Sequence, residues 1–263
     1  MANRTRILVS GAAGRMGRTV ARLAAESASM EVVGGLDRET PSEALPHCPR
    51  VLRIEEAGDL LATADVIVDF SAPEFLRRLL ASLAELDAPP ALVVGTTGLG
   101  DDEAAMLSAA SRRVAVLTAA NFSIGVNLLL VLAERAAASL GEGFDIEIVE
   151  AHHRRKEDAP SGTALALGEA VAEGRNVHLP DVRRDGRSGR PGARPEREIG
   201  FHSLRGGDVI GDHHVHFIGD LERIELTHRA SDRALFAAGA LRAAAWLNDQ
   251  PSGRYSMLDV LGL

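Results

Sequence analysis

Lysine is all but absent. Of 29 Lys and Arg residues, only Lys156 is a lysine, so one ammonium stands among guanidiniums. A guanidinium is effectively never deprotonated, whereas an ammonium can give up a proton or serve as a compact anion contact. Cysteine is as scarce: Cys48 stands alone, which excludes an intramolecular disulfide and a cysteine metal cluster. Aromatic residues make up 3% of the 263, so the core must be aliphatic, and no aromatics interleave with basic residues to stack bases. A net charge of −8 excludes a broad basic face while leaving local anion sites possible. No apolar run reads as reaching membrane-spanning length, and Met1–Arg6 runs straight into Ile7-Leu8-Val9 without a secretory leader. These absences predict a soluble cytoplasmic protein with neither membrane nor nucleic acid as a partner.

What is present is a regular alternation. Residues 6–10, 31–36, 64–70, 91–94 and 114–117 read as short apolar strands. Between them lie amphipathic helical segments, 73–87 and 101–112 among them, and an earlier one with Val20, Leu23 and Ala24 on one face. Strands of this kind alternating with helices predict parallel βαβ units, with ligands held at the polar strand ends. The pattern changes near residue 123. Residues 122–140 read as a long aliphatic helix, and 145–150 alternates with period two. More alternating segments follow at 198–204, 213–218 and 223–228, predicting an α+β unit with an open mixed or antiparallel sheet. A final helix over 230–248 carries Phe236 and Trp246 on its apolar side. The Arg-, Gly- and Pro-rich stretch 174–198 reads as a long mobile loop bordering a site for an anionic ligand.

Gly11, Gly14 and Gly17 lie between the first strand and the first helix, in a Gly-x-x-Gly-x-x-Gly variant of the dinucleotide fingerprint. Glycine keeps such a turn tight, lets backbone approach a pyrophosphate, and lets helix pack on strand, while the helix N-terminus offers N–H groups to the anion. Gly11, Ala12, Ala13, Gly14, Arg15 and Met16 are therefore candidate cofactor residues. Asp37, ending the second strand, can accept both ribose hydroxyls, and Arg38 can pair with a 2′-phosphate. Having both predicts that NADH and NADPH each serve. Gly95, Thr96 and Thr97 end the fourth strand with residues small enough to lie along a nicotinamide, and Ala119, Ala120, Asn121 and Phe122 end the fifth. Either alone is compatible with an ordinary turn; two on one carboxyl edge point to a shared ligand.

The densest polar stretch is 152–163. His152 and His153 suit proton transfer near neutral pH. Lys156 follows, and Ser161, Gly162 and Thr163 open an alanine-rich helix whose first N–H groups and hydroxyls form an anion seat. Together they suit a substrate carrying one or more carboxylates. A rival cluster is His213-His214-Val215-His216, with His202 and His228 nearby in sequence. His214 and His216 share one strand face and could bind a metal, but no carboxylate–histidine pair at zinc-type helical spacing accompanies them. The reading is therefore no metal, and a sheet face turned toward a polar site.

The segment Glu150-Ala-His-His-Arg-Arg-Lys-Glu-Asp-Ala-Pro-Ser-Gly-Thr-Ala164 resembles the signature of the 4-hydroxy-tetrahydrodipicolinate reductase family, long called dihydrodipicolinate reductase. Residues 11–18, 95–98 and 120–127 are similar to that family's cofactor and hinge motifs, and the likeness runs through 206–211 and 225–230 to the last helix. The resemblance implies an α/β protein: a Rossmann-like parallel-sheet nucleotide domain, 1–123 plus 233–263, and a second α+β domain, 124–232, with an open mixed sheet. That second domain would bind substrate and build a homotetramer. The implied activity is NAD(P)H-dependent reduction of a cyclic dicarboxylate to tetrahydrodipicolinate on the diaminopimelate route to lysine, with hinge closure excluding water. On matching positions His152 would be the general acid and Lys156 the assisting proton donor and carboxylate contact. His153, Ser161, Gly162 and Thr163 would bind the dicarboxylate. Asp37 stands where some members have Glu. Three other readings stay open: another two-domain nicotinamide oxidoreductase, a non-catalytic dinucleotide sensor, and a metal-dependent hydrolase built on the histidine-rich strand.

Overall fold

The computed structural model describes residues 4–263; the first three, which open the segment read for a leader, lie outside them. Strand β1 (Thr5–Ser10) leads through the glycine turn into helix α1 (Arg15–Glu26) and back to β2 (Met30–Leu36). Then come β3 (Val51–Leu52), a 3₁₀ turn at Ile54–Glu56, and α2 (Gly58–Thr63), none of which the periodicity announces because each is too short to establish one. Strand β4 (Val66–Asp69) is followed by α3 (Pro73–Ala84), whose Pro73 sits at the helix start, where its missing N–H costs nothing. Next are β5 (Ala91–Val94), α4 (Asp101–Ala110) and β6 (Ala115–Thr118). Glu103 in the first turn of α4 accepts the Gly100 N–H at 2.7 Å, fixing where that helix begins.

The second unit opens with α5 (Ile124–Leu140) and β7 (Asp145–His152), then α6 (Gly162–Gly174), α7 (Leu179–Val182) and β8 (Arg183–Asp185). Strands β9 (Ile199–Arg205), β10 (Asp212–Ile218) and β11 (Arg223–Arg229) complete it. The five-stranded sheet runs β11-β10-β7-β9-β8; β10 is antiparallel to both neighbours, while β9 is parallel to β7 and β8. In register, Val215 faces Ile148 and Phe217 faces Ile146, and these pack with Leu129, Ala133, Leu167 and Phe201 in one aliphatic core.

Two expectations change here. The stretch 174–198 contains α7 and the edge strand β8, and two of its arginines, Arg187 and Arg194, are tied to the sheet. Arg187 donates to both oxygens of Glu147, and Arg194 reaches Glu147, Asp145 and the Ile146 and Glu198 carbonyls. Burial alone would raise the Glu147 carboxyl; bonds from Arg187, His202 and Arg194 overcome that and hold it at about 2. Partners on a strand 40 to 49 residues away in sequence cannot be read from the stretch itself. Second, Ile124–Gly143 is 20 residues long with a mean hydropathy of 1.4, apolar and long enough by length and composition to cross a membrane. One face of it packs into the aliphatic core just described through Leu129, Ala133 and Ala137, while Leu128 and Leu132 stay exposed.

The chain then returns to the first unit with α8 (Ala234–Leu247), β12 (Gly253–Tyr255) and α9 (Met257–Leu261). The seven-stranded sheet runs β12-β6-β5-β4-β1-β2-β3, every pair parallel. Strand side chains alternate between two helical layers. Ile7, Val9, Val68 and Leu117 face α1 and α8, while Leu8, Ile67, Leu92 and Val116 face α2, α3 and α4. Helix α8 packs through Ala237, Gly239, Ala240, Ala243, Ala244 and Leu247. Phe236, expected on this face, is only half-buried and outside the core, because small residues let the helix lie close: a Cβ on Gly239 would collide with the Phe122 carbonyl. The first unit runs to Ile124 and resumes over Ala234–Leu263; the second is Gly125–Arg233.

Candidate active site

The order of the seven strands reverses between β1 and β4, the point where a parallel sheet leaves a crevice. A cleft of about 390 Å³ lies there, lined by the glycine turn, Asp37, Arg38 and, unanticipated, Phe70, Ser71, Ala72 and Phe75. The backbone around it is nearly spent. The Gly11 and Ala12 N–H groups bond the Leu36 carbonyl, Ala13 N–H bonds Asp37 Oδ2 at 2.8 Å, and Gly14 N–H bonds the Gly11 carbonyl. The next amides, of Arg15 and Met16, open α1 and have no carbonyl one turn back. Of the candidate cofactor residues 11–16, these two amides are the ones open to an anion. Gly11 has a φ of +75°, and a Cβ on Gly17 would fall on the Gly11 carbonyl, so both glycines are required for α1 to start against β1. Ala12 is buried in the core and can offer a ligand only backbone.

A second cleft of about 240 Å³ follows on the same edge, lined by Thr96, Thr97, Gly98, Thr118, Ala119 and Ala120. Phe122 is turned away, 2% exposed in the core and edge-to-face with Phe70 at 5.7 Å. Asn121 Oδ1 accepts the Ser123 N–H at 2.8 Å. The Thr96 hydroxyl points beneath the surface, to Asp69 Oδ2 at 2.6 Å. Asp69 is fully buried and also accepts the hydroxyls of Ser10 and Ser71 at 2.5 and 2.6 Å, so it ties together three strand ends around both clefts. Burial pushes its carboxyl up, against the pull of those three hydroxyls. Sequence reasoning missed it, although an Asp closing Val-Ile-Val at a strand end was a visible signal. The paired amides, the glycine cradle and the Asp37 carboxylate fit a dinucleotide.

In the second unit β7 runs on to His152, two residues past the expected end, so Glu150 and His152 share one strand face. Glu150 is 1% exposed. Its Oε2 lies 2.6 Å from His152 Nδ1, and Arg205 grips both oxygens at 2.8 and 2.7 Å. Ser161 N–H reaches Glu150 Oε1 at 3.2 Å. Burial alone would raise the Glu150 carboxyl; bonds from Arg205, Ser203 and His152 hold it at about 2. The Ser161 hydroxyl caps α6 by accepting the Ala164 N–H at 3.2 Å and lies 3.0 Å from His213 Nε2. Burial pushes His213 down to about 4, so it is neutral near pH 7.

Lys156 and His153 lie in the turn after β7, where the Lys156 N–H bonds the His153 carbonyl at 3.1 Å. The Lys156 ammonium sits 2.8 Å from both oxygens of Asp158. His153 Nε2 accepts from Arg233 at 3.0 Å; partial desolvation, then the positive charges of Arg233 and Arg155, hold this imidazole below its usual range. Gly162 is exposed at the first position of α6, its N–H without a carbonyl one turn back, and Thr163 follows it. Glu150, Arg205 and Arg233 were not singled out as site residues from the sequence; His213, read there only within the rival histidine cluster, lies against Ser161 and His152. His214 and His216 point to the sheet face opposite His213 and stack on each other at 6.1 Å. Among the described residues no group of three His, Cys, Asp or Glu side chains could hold a metal.

A dinucleotide cradle and a charged histidine–lysine cluster in one chain define a class, the two-domain nicotinamide-dependent oxidoreductases. Comparison sharpens the class. Residues 5–122 match the family described as dihydrodipicolinate reductase, N-terminus, and residues 125–261 the one described as dihydrodipicolinate reductase, C-terminus. The chain belongs to the dihydrodipicolinate reductase family. It is 48% identical over 266 residues to the 4-hydroxy-tetrahydrodipicolinate reductase of Methylocella silvestris, covering 98% of this chain and 97% of that one. To the enzyme of the same description from Alkalilimnicola ehrlichii it is 47% identical over 267 residues, covering 98% and 99%. A solved dipicolinate-bound dihydrodipicolinate reductase from Paenisporosarcina sp. TG-14 superposes with a TM-score of 0.77 at 26% identity, covering 97% of this chain and 98% of that one. An engineered D-amino acid dehydrogenase bound to NADP+ shares only the fold, at 14% identity and a TM-score of 0.58.

Proposed function

We propose that this chain reduces a 4-hydroxy-dihydrodipicolinate-type cyclic dicarboxylate to tetrahydrodipicolinate, using NADPH or NADH, on the diaminopimelate route to lysine. The observation that carries the reading is His152, held by a buried carboxylate beside the start of α6, in a chain with a dinucleotide cradle. The Arg15 and Met16 amides hold the pyrophosphate, Asp37 the ribose hydroxyls and Arg38 a 2′-phosphate when one is present. Residues 95–97 and 119–122 border the nicotinamide, with Ala12 and Phe122 contributing backbone. Bound NAD(P)H supplies a hydride to the conjugated ring of the dehydrated substrate, whose electrons move toward the ring nitrogen.

His152 then gives the proton that completes reduction, from Nε2, because Nδ1 is committed to Glu150. Lys156 exchanges its Asp158 partner for a substrate carboxylate and assists as a second proton source. His153 and the Gly162 and Thr163 end of α6 take the dicarboxylate. Ser161 contributes by capping that helix, its hydroxyl already engaged by Ala164 and His213. Holding the dianion with fixed positive charge is the positioning part of the rate. We further infer a cytoplasmic homotetramer assembled through the five-stranded sheet, whose face away from α6 exposes Leu204 and Ile218.

The test is cofactor oxidation on substrate made in situ by the preceding synthase from pyruvate and aspartate semialdehyde. His152→Gln is expected to lower kcat by about 10²- to 10⁴-fold, the usual worth of general acid catalysis, while the KM for NADPH stays near wild type. Loss of cofactor binding instead would make His152 a structural residue.

A further inference from the structure

We propose that Glu150 and Arg205 are a positioning pair that fixes which nitrogen of His152 carries the reactive proton and sets the pH range over which it can be given up. This rests on the reading of His152 as the general acid. An ionised carboxylate only accepts hydrogen bonds, so at 2.6 Å from Glu150 Oε2 the His152 Nδ1 must be the donor. That leaves Nε2 as the working nitrogen. Gly211 lies against it: a Cβ there would come within 3.0 Å of Nε2, so glycine keeps the nitrogen approachable. Arg205 fixes Glu150 in turn through two parallel bonds, and its Nη2 also reaches the Asp158 carbonyl at 2.7 Å, tying β9 to the turn that carries Lys156.

The charges facing His152 come from every element around it. Glu150 shares its strand, and Arg205 comes from β9. His213 on β10 sets its ring edge-to-face at 5.2 Å. The following turn brings His153, with Arg233 on it, and Lys156, with Asp158 on it. Glu150 and Arg205 are opposite charges in direct contact, so His152 faces a nearly cancelled pair. Removing the anion leaves a guanidinium beside the ring and disfavours a second positive charge there. Removing the cation leaves a bare buried carboxylate and favours one.

The experiment is the pH profile of kcat/KM for the cyclic dicarboxylate in Glu150→Gln, Arg205→Met and the double variant, with NADPH binding and thermal melting followed in each. The alkaline limb, where the acid loses its proton, is expected to move to lower pH in Glu150→Gln and to higher pH in Arg205→Met, by on the order of one unit each. The double variant, with both charges gone, is expected to return toward the wild-type limb. A merely structural role would lower kcat without moving the limb in opposite directions. Limbs that stand still, or move the same way, overturn the proposal. If Glu150→Gln does not fold, Arg205→Met alone decides, by whether its limb rises. If His152→Gln retains full turnover, the general-acid reading falls and the pair with it; if that variant is crippled while the limbs stand still, only the pair falls.

Discussion

On the proposed mechanism Lys156 carries two functions that one substitution can separate. Lys156→Arg keeps the positive charge and removes the proton that could be released. With Lys156 assisting as a donor, kcat is expected to fall at least about 10-fold in the coupled assay. Full activity would reduce the residue to a fixed charge. The residues of this site were legible in the sequence only where they are contiguous. His152, His153, Lys156 and Ser161 fall within one stretch, and polarity alone marks them. Glu150 lies two positions before His152, but its role depends on the strand running on to 152, which places both on one face. Arg205 and His213 are 55 and 52 residues from the partners they contact, and only the pairing of β7 with β9 and β10 brings them in.

Among the elements, the start of α1 depends sharply on one atom. Gly17→Ala would drive a methyl onto the Gly11 carbonyl and the Ala12 Cα, and backbone there cannot yield without moving the helix off β1. The Arg15 and Met16 amides would move with it. The KM for NADPH is expected to rise at least about 10-fold, measured alongside Tm; unchanged cofactor binding would show that the pyrophosphate seat lies elsewhere. The strands and helices with a sustained period were readable, as β5 shows by ending where its apolar run ends. The elements that escaped have none to read. Strands β8 and β12 are three residues each and hold their places by pairing with β9 and β6. Arg187 and Arg194 look free in sequence until their carboxylates on β7 are in view.

At the scale of the whole molecule, the buried His213 ties stability to pH. His213 titrates near 4 in the folded chain, below the ordinary imidazole value of 6.5, so the unfolded chain binds the extra proton between those values. Its contribution is present above about 6.5 and is lost as pH falls toward 4. Glu147 and Glu150, held at about 2 against an ordinary 4.5, add a further loss only below about 4.5. Tm is therefore expected to decline from about pH 6.5 to 4.5, and His213→Asn to flatten that decline. An unaltered slope in the variant would remove His213 from the account. The central claim is chemical: the dinucleotide cradle and the His152 cluster serve one reduction. The measurement that tests it most directly is NADPH oxidation by the wild-type protein as the synthase feeds in substrate, with the product analysed. One NADPH consumed for each tetrahydrodipicolinate formed is the predicted result, with NADH also accepted. NADPH bound but never oxidised would contradict it and leave a dinucleotide sensor in place of an enzyme.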